Sequence, residues 1–244
     1  MIYLRDPGLI FLKPHKVAGT SFEIALSKYA KPGDILTPLG RDEQLRAAKG
    51  LPGPQGHLYA QAELALATDD DRARAKRQQA RGMGDGQPLK FYNHISASLV
   101  RDRLTDKEWS EAIKISIVRN PFDLAVSTYF WWQDRNAEEM PFALWCMEFH
   151  PSLRRNGEQY LIDGQITVDR FIRFEKFAED IAALERDYPA LSGLAEAFAG
   201  TRAKAGIRPE GAKAVHFFGQ NRALRRLVEK SCAFEMEHFG YTLE

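Results

Sequence analysis

Two short apolar runs in this chain are each followed by a polar turn and then by a helix-forming segment. Residues 8–12 lead through a loop into a segment whose apolar spacing predicts a helix from 20 to about 30. Residues 112–118 are nearly all apolar and rich in isoleucine, and Pro121 suits the first turn of a helix that runs to about 133. Strands that alternate with helices predict an α/β fold, a parallel sheet covered by helices on both faces.

Weaker signals extend this order along the chain. They predict further strands at 88–92 and 168–174 and further helices at 96–104, 175–187 and 221–239. Residues 40–88 differ, since a proline–glycine turn cluster is followed there by a run of charged residues. We therefore predict a single domain over 1–244 with a variable or mobile insertion at about 40–88. A segment that gates the substrate is the alternative for this insertion.

Charge and cysteine content limit the partners and the compartment. Lys and Arg number 34 against 33 Asp and Glu, a net charge of +1, which argues against nucleic acid but not against a small anion. Cys146 and Cys232 are too few for a disulfide framework or a cysteine-rich zinc site, and no residues show the spacing of metal ligands. No apolar run is long enough for a membrane span, and no secretion signal is recognisable. We expect a cytoplasmic protein without a metal, although a luminal enzyme without its anchor has a similar composition.

The first loop has the composition of a phosphate or sulfate site. A helix N-terminus presents N–H groups and positive partial charge to an anion, and glycine allows the backbone to approach it. Hydroxyl groups and one lysine add further donors. The candidate residues are Lys16, Val17, Ala18, Gly19, Thr20 and Ser21. The loop lacks the glycine–lysine pattern of nucleoside triphosphate loops and the glycine pattern of dinucleotide folds. A capped helix without any ligand is the alternative.

A second candidate anion site follows the strand at 112–118. Arg119 stands at its carboxyl end, where open α/β sheets bind ligands, and Ser127 lies almost two turns into the next helix. An arginine fork and a hydroxyl that face one point suit a phosphate. Ordinary capping or a salt bridge is the alternative for this pair.

Together the two segments resemble the sulfotransferases that use 3′-phosphoadenosine 5′-phosphosulfate (PAPS). In that family a loop similar to residues 15–21 binds the 5′-phosphosulfate, and an Arg-Asn-Pro segment similar to 119–129 binds the 3′-phosphate. Segments 173–180 and 239–241 also resemble the family, the latter its carbohydrate-type branch, whereas 40–88 has no counterpart. The resemblance implies a P-loop nucleoside triphosphate hydrolase-like fold with a three-layer parallel sheet. Val17 departs from the family pattern, which has threonine there, so the hydroxyl that would hydrogen-bond the donor is absent.

The resemblance also implies a reaction and its catalytic residues. Sulfuryl transfer from PAPS to a hydroxyl of a carbohydrate or small molecule yields adenosine 3′,5′-bisphosphate. Lys16 would stabilise the leaving phosphate, and a histidine between the two motifs, His94, would be the general base. His57 is the rival base, and His15 ranks third because Lys16 would depress its basicity. A phosphotransferase that uses a triphosphate and a non-catalytic nucleotide-binding protein remain the other hypotheses.

Several other residues carry two interpretations. Phe130, Trp131 and Trp132 either pack in the core or stack on a sugar. Glu175 is either a structural partner or a site residue. A basic loop before the last helix is either solvated or closes over the 3′-phosphate, and it contains Arg202, Lys204, Arg208 and Lys213. The acceptor and the oligomeric state are not predicted, although 40–88 and 134–166 are the segments where acceptor contacts are expected.

Overall fold

A computed structural model describes residues 1–82, 84–201 and 206–243 of the chain. Its strands are β1 (Ile2–Leu4), β2 (Leu9–Leu12), β3 (Ile35–Leu36), β4 (Ile113–Val118), β5 (Leu161–Ile162), β6 (Gln165–Ile166) and β7 (Arg170–Arg173). Its α-helices are α1 (Gly19–Leu26), α2 (Glu43–Ala48), α3 (Asp69–Gln79), α4 (Ala97–Arg103), α5 (Asp106–Glu111), α6 (Pro121–Gln133), α7 (Phe142–Phe149), α8 (Phe177–Asp187), α9 (Leu194–Ala199), α10 (Ala214–Phe218), α11 (Arg222–Ser231) and α12 (Ala233–Phe239). Short 3-10 helices cover Ser27–Tyr29, Gly40–Asp42, Gln61–Leu66, His150–Gln159, Phe174–Lys176 and Pro189–Leu191.

A five-stranded sheet in the order β3-β1-β2-β4-β7 forms the centre of the fold. Strand β4 pairs in parallel with both β2 and β7, which confirms the predicted α/β class. The predicted all-parallel sheet is wrong at one strand, because β1 runs antiparallel to both β2 and β3. Only four residues separate β1 from β2, and such a short connection can join antiparallel neighbours but not parallel ones.

Both faces of this sheet are buried, as the alternation of side chains along its strands shows. Ile2, Leu4, Leu9 and Phe11 belong to one core cluster, which includes residues of α1, α8 and α9. Met1, Tyr3, Ile10 and Leu12 belong to a second cluster with residues 89–100 and Tyr160. Because neighbours along a strand point to opposite faces, the two clusters lie on opposite sides of the sheet. The sheet is therefore a buried central layer.

A third cluster lies among the helices after β4 and contains both cysteines. It joins apolar residues of α6, α7, α10 and α11. Cys146 and Cys232 are buried in it as free thiols, so they form no disulfide with each other. The predicted single helix at 221–239 is wrong in its continuity, because α11 ends at Ser231 and α12 begins at Ala233. No helix of the described part of the chain is both long and apolar enough to cross a membrane.

The stretch at 40–88 is tied to the sheet and to the rest of the domain. Leu36 of β3 exchanges both backbone hydrogen bonds with Gln55. The carboxylate of Asp71 in α3 is buried, where it accepts hydrogen bonds from Arg103 and from the hydroxyl of Tyr59. The predicted strand at 88–92 is wrong, since only an isolated bridge between Leu58 and Leu89 forms there. The segment that leads to His94 is therefore held by such contacts outside the central sheet and not by a strand of that sheet.

Candidate anion-binding site

The two predicted anion loops open into the same cavity. Strands β2 and β4 are parallel neighbours, so the loops that follow them leave the sheet at the same edge. The cavity between them, cavity A, has a volume of about 420 Å³. The predicted site residues that line it are Lys16, Ala18, Gly19, Thr20, Ser21, His94, Arg119 and Ser127. Sequence positions more than a hundred residues apart therefore form one site.

The first loop turns sharply before α1. Lys16 and Ala18 adopt the left-handed conformation, with φ values of 59° and 57°. Helix α1 has Ala18 as its N-cap, a residue without a side-chain oxygen that could cap the helix. Thr20 and Ser21 are buried in its first turn and line cavity A. The start of α1 thus faces the cavity as an anion site requires.

Val17 does not contribute its side chain to cavity A. The side chain is 1% exposed and lies in the core cluster that also contains Phe22 and Leu26. Val17 can therefore contribute to a donor site through its backbone but not through its side chain. A hydroxyl at this position would face the apolar core in this geometry, so valine suits the packing.

The absence of a side chain at Gly19 makes room for the side chain of Lys13. A Cβ atom at Gly19 would lie 2.8 Å from Cγ of Lys13, which is far inside the contact distance of two carbons. Lys13 is 2% exposed, and its ammonium donates to Glu23 at 2.6 Å. The glycine therefore lets this buried lysine pass beneath the loop.

We expect Gly19→Ala to lower the free energy of unfolding by about 1–3 kcal/mol, as overpacking of a core does. The displaced Lys13 would strain its ion pair with Glu23, although alanine is the better helix former. Urea denaturation of both forms measures the change. Gly53→Ala is the matched control, because its Cβ would meet no atom within 4 Å and its φ is not positive. Equal loss of stability in the two variants would contradict the role of Gly19.

A buried charge cluster supports this loop. Glu23 is fully buried and accepts hydrogen bonds from the ammonium of Lys13 and from the N-terminal ammonium of Met1. Burial acts to raise the pKa of Glu23, but the two ammonium groups outweigh it, so the pKa lies below its ordinary value. Lys13 thus reaches the floor of cavity A with a compensating carboxylate beneath it.

Arg119 is held by three sets of contacts. Its Nε donates to the carboxylate of Asp123, Nη2 forms an ion pair with the same carboxylate oxygen at 2.6 Å, and Nη1 donates to the carbonyl of Lys16 at 2.6 Å. Its guanidinium also stacks on the ring of Phe174, with Cζ 3.9 Å from the ring centroid. Two of the five N–H groups of Arg119 are therefore already hydrogen-bonded within the protein, and the others remain to face a ligand. The residue joins the two loops as well as lining cavity A.

Within the described residues, the basic loop before the last helix contributes to this site through Arg208. Arg208 donates to the second oxygen of Asp123 at 2.6 Å and to the carbonyl of Ala212. Burial acts to raise the pKa of Asp123, but Arg119 and Arg208 outweigh it and hold the pKa below its ordinary value. Lys213 is exposed and does not line cavity A, while Arg202 and Lys204 lie outside the described residues. Arg208 therefore supports Arg119 rather than closing over the cavity.

The remaining polar residues of the second segment have separate roles. Asn120 caps α6 by accepting a hydrogen bond from the amide of Phe122. Glu175 accepts hydrogen bonds from the amide of Asn120 and from the hydroxyl of Tyr241, so its contacts are structural. The hydroxyl of Ser127 lines cavity A and makes no hydrogen bond within the described part of the chain. Ser127 can therefore donate to a ligand.

His94 lies on the wall of cavity A in a fixed orientation. Its Nδ1 is 3.0 Å from the carbonyl oxygen of Lys13, an acceptor, so Nδ1 carries the proton and Nε2 keeps its lone pair. The ring stacks on that of His15 with centroids 3.7 Å apart. Burial lowers the pKa of His94 far below its ordinary value, and His15 and Lys13 add to this effect. His94 is consequently neutral at physiological pH.

The rival base His57 lies elsewhere. It lines a second cavity, cavity B, which has a volume of about 700 Å³. The other residues that line cavity B lie within 38–43, 58, 75–82, 84–89 and 93. Burial lowers the pKa of His57 as well. Because His57 does not line cavity A, it is poorly placed to act on a ligand bound between the two loops.

Several residues of cavity A have no individual signal in the sequence, although they lie within the segment 134–166 where acceptor contacts are expected. The 3-10 helix His150–Gln159 brings Ser152, Leu153, Arg155 and Asn156 to the cavity. Asn156 exchanges two hydrogen bonds with the backbone of His15, at 2.7 and 2.9 Å. Of the aromatic triplet, Phe130 and Trp132 pack against the third core cluster, whereas Trp131 lines the cavity. Only the tertiary fold brings this segment, about 140 residues from the first loop, into the site.

Comparisons of the chain with protein-family models, with curated proteins and with solved structures found no match. Among residues 1–82, 84–201 and 206–243, no group of three or more His, Cys, Asp or Glu side chains could hold a metal ion. The function is therefore argued from cavity A itself.

Proposed function

We propose that the protein is a sulfotransferase that moves the sulfuryl group of PAPS to a hydroxyl acceptor, a carbohydrate or another small molecule. The observation that carries this proposal is the convergence of both anion loops and one neutral histidine on cavity A. The family resemblance of residues 15–21 and 119–129 supports the same donor. The proposal also includes the P-loop-like fold that this resemblance implies.

Cavity A suits an anion of nucleotide size. Its volume of about 420 Å³ falls in the range of small-molecule sites. Four of its described lining residues are Lys or Arg, namely Lys13, Lys16, Arg119 and Arg155, and none is Asp or Glu. The first loop would hold the 5′-phosphosulfate through Lys16 and the start of α1. Arg119, with three N–H groups beyond its present hydrogen bonds, and Ser127 would hold the 3′-phosphate.

PAPS supplies an activated sulfuryl group, and the side chains of cavity A position it and compensate charge. The acceptor oxygen forms a bond to sulfur as the bond from sulfur to the 5′-phosphate oxygen breaks. Nε2 of His94 takes the acceptor proton, since Nδ1 is already protonated. Lys16 compensates the charge that develops on the leaving phosphate. Adenosine 3′,5′-bisphosphate and the sulfated acceptor are the products.

The low basicity of His94 favours a second candidate, a nucleotide-binding protein without turnover. A base works best when its pKa is close to the working pH, and burial holds the pKa of His94 well below that range. Bound anionic groups of a donor would raise this pKa, because a nearby negative charge favours the imidazolium. Turnover therefore separates the two candidates, while both require bisphosphate binding.

Calorimetric titration with adenosine 3′,5′-bisphosphate tests the donor site, with ATP in parallel and no added magnesium. We expect bisphosphate binding that weakens about ten- to hundredfold in Lys16→Met, since one charge-assisted contact is lost. Lys107→Met, a change at an exposed lysine that does not line cavity A, is the control and should bind normally. Tight ATP binding without a response to the bisphosphate would instead favour a phosphotransferase.

A further inference from the structure

Cavity B, with about 700 Å³, is larger than cavity A, and backbone hydrogen bonds connect the segments that line it. The carbonyl of His57 accepts hydrogen bonds from the amides of Lys90 and Phe91, both at 2.9 Å. The bridge between Leu58 and Leu89 joins the same two segments. The segment that carries His57 is therefore pinned to the segment that leads to Asn93, and both line the cavity.

The polar side chains that line cavity B are carboxylates, amides and one imidazole, so they offer donors as well as acceptors, and the described lining residues include no Lys or Arg. Glu43 pairs with the buried guanidinium of Arg46 at 3.3 Å, whereas the carboxylate of Asp85 is exposed and accepts hydrogen bonds only from its own loop in the described chain. Oδ1 of Asn93 and Nδ1 of His57 are fully buried and have no hydrogen-bond partner within the described chain. Buried polar atoms in native proteins almost always have a partner, so these two atoms indicate a ligand or ordered water.

The two cavities meet at consecutive residues. Asn93 lines cavity B and His94 lines cavity A. His94 adopts the left-handed conformation, with φ of 59°, and its carbonyl accepts a hydrogen bond from Gln159. This turn directs the two neighbouring side chains into different cavities. Four Lys or Arg side chains line cavity A, whereas the described lining of cavity B has two carboxylates and no Lys or Arg.

We propose that cavity B binds a small hydroxyl- or amine-bearing molecule without negative charge, which donates hydrogen bonds to Asn93 and Asp85. Leu39, Leu58 and Leu89 supply the apolar part of the lining, and the volume of about 700 Å³ admits a molecule of sugar size. An anion is disfavoured because Glu43 already neutralises Arg46, while Asp85 pairs with no described cation and would repel it. This proposal stands apart from the proposed function and concerns a different cavity.

Three sugars that share one pyranose ring test the proposal, since glucosamine, glucose and glucuronate carry positive, no and negative charge. Amide chemical shifts of the labelled full-length chain report binding by residue. We expect saturable shifts at Gly40, His57 and Asn93 with glucosamine and glucose at millimolar concentration, and none with glucuronate. No saturable shift with either of the first two, or equal affinity for glucuronate, would overturn the proposal.

Two variants locate the binding. Asn93→Leu should weaken glucosamine and glucose about tenfold, as the loss of one buried hydrogen bond does, whereas the exposed control Asn136→Leu should not. Asp85→Asn should lower the affinity for glucosamine to that for glucose and leave glucose unchanged. Unchanged affinities in both site variants would contradict the assignment. Amides of cavity A such as Gly19 respond to the bisphosphate alone, so failure of one site is distinguishable from failure of the other.

Discussion

Replacement of His94 by glutamine should lower kcat for sulfuryl transfer by about 10²–10⁴-fold, the usual contribution of a positioned general base. Glutamine can still donate a hydrogen bond to the carbonyl of Lys13, so the wall of cavity A should keep its shape. The measurement is transfer from sulfur-35-labelled PAPS to the best acceptor found in a screen. Calorimetry should show unchanged affinity for the bisphosphate.

His57→Gln is the matched control for this prediction, because His57 is half-buried like His94 but lines cavity B. It should keep its rate, and a large rate loss there with none in His94→Gln would transfer the role of base to His57. The pH profile adds a second readout. Since the pKa of His94 is lowered, kcat/KM should show no inflection near pH ~6.5, the ordinary value for histidine. An inflection near that value which His94→Gln removes would contradict the neutral buried base.

Arg119→Met should weaken bisphosphate binding by roughly 10²–10³-fold, more than Lys16→Met, because truncation of a buried charge pair adds to the lost ligand contact. The variant loses its contact with the ligand and also the hydrogen bond to the carbonyl of Lys16 that joins the two loops. Asp123 keeps its bond to Arg208, so no buried carboxylate is left without a partner and the fold should survive. Calorimetry and thermal unfolding measure both effects.

Arg101→Met is the control for Arg119, since Arg101 also pairs with an aspartate but is exposed on α4. Arg119→Lys separates charge from geometry, because lysine keeps the charge but cannot reproduce the bonds to Asp123 and Lys16 together. We expect it to recover only part of the affinity. Full binding in Arg119→Met would remove the second loop from the site.

The elements that sequence patterns predict well are those with strong local signals. Strands β2, β4 and β7 and helices α1 and α6 follow their apolar spacing closely, so both anion loops are found at the expected places. Strands β1 and β3 are short, with three and two residues, and their pairing depends on neighbours rather than on their own pattern. Residues 88–92 have the apolar pattern of a strand but do not form one, and their apolar side chains pack in a core cluster instead.

The composition of the site is less accessible to sequence than its loops. The segments 16–21 and 119–127 contribute eight of the nineteen described residues that line cavity A. Their sequence pattern does not reveal that Gly19 accommodates Lys13, that Arg119 holds the carbonyl of Lys16, or that Val17 faces the core. Each of these depends on a contact between distant segments, which spacing along the chain cannot encode. The same holds for Asn156, whose partner is His15.

The opposite linings of the two cavities affect how fast ligands arrive, not only how tightly they bind. The net charge of the 244 residues is only +1, yet Lys and Arg side chains line cavity A and the exposed carboxylate of Asp85 lines cavity B. Charged clefts focus field lines and raise the association rate of ligands of opposite sign, an effect that added salt suppresses. The association rate of an anionic nucleotide should therefore depend steeply on ionic strength, while that of an uncharged polyol at cavity B should not.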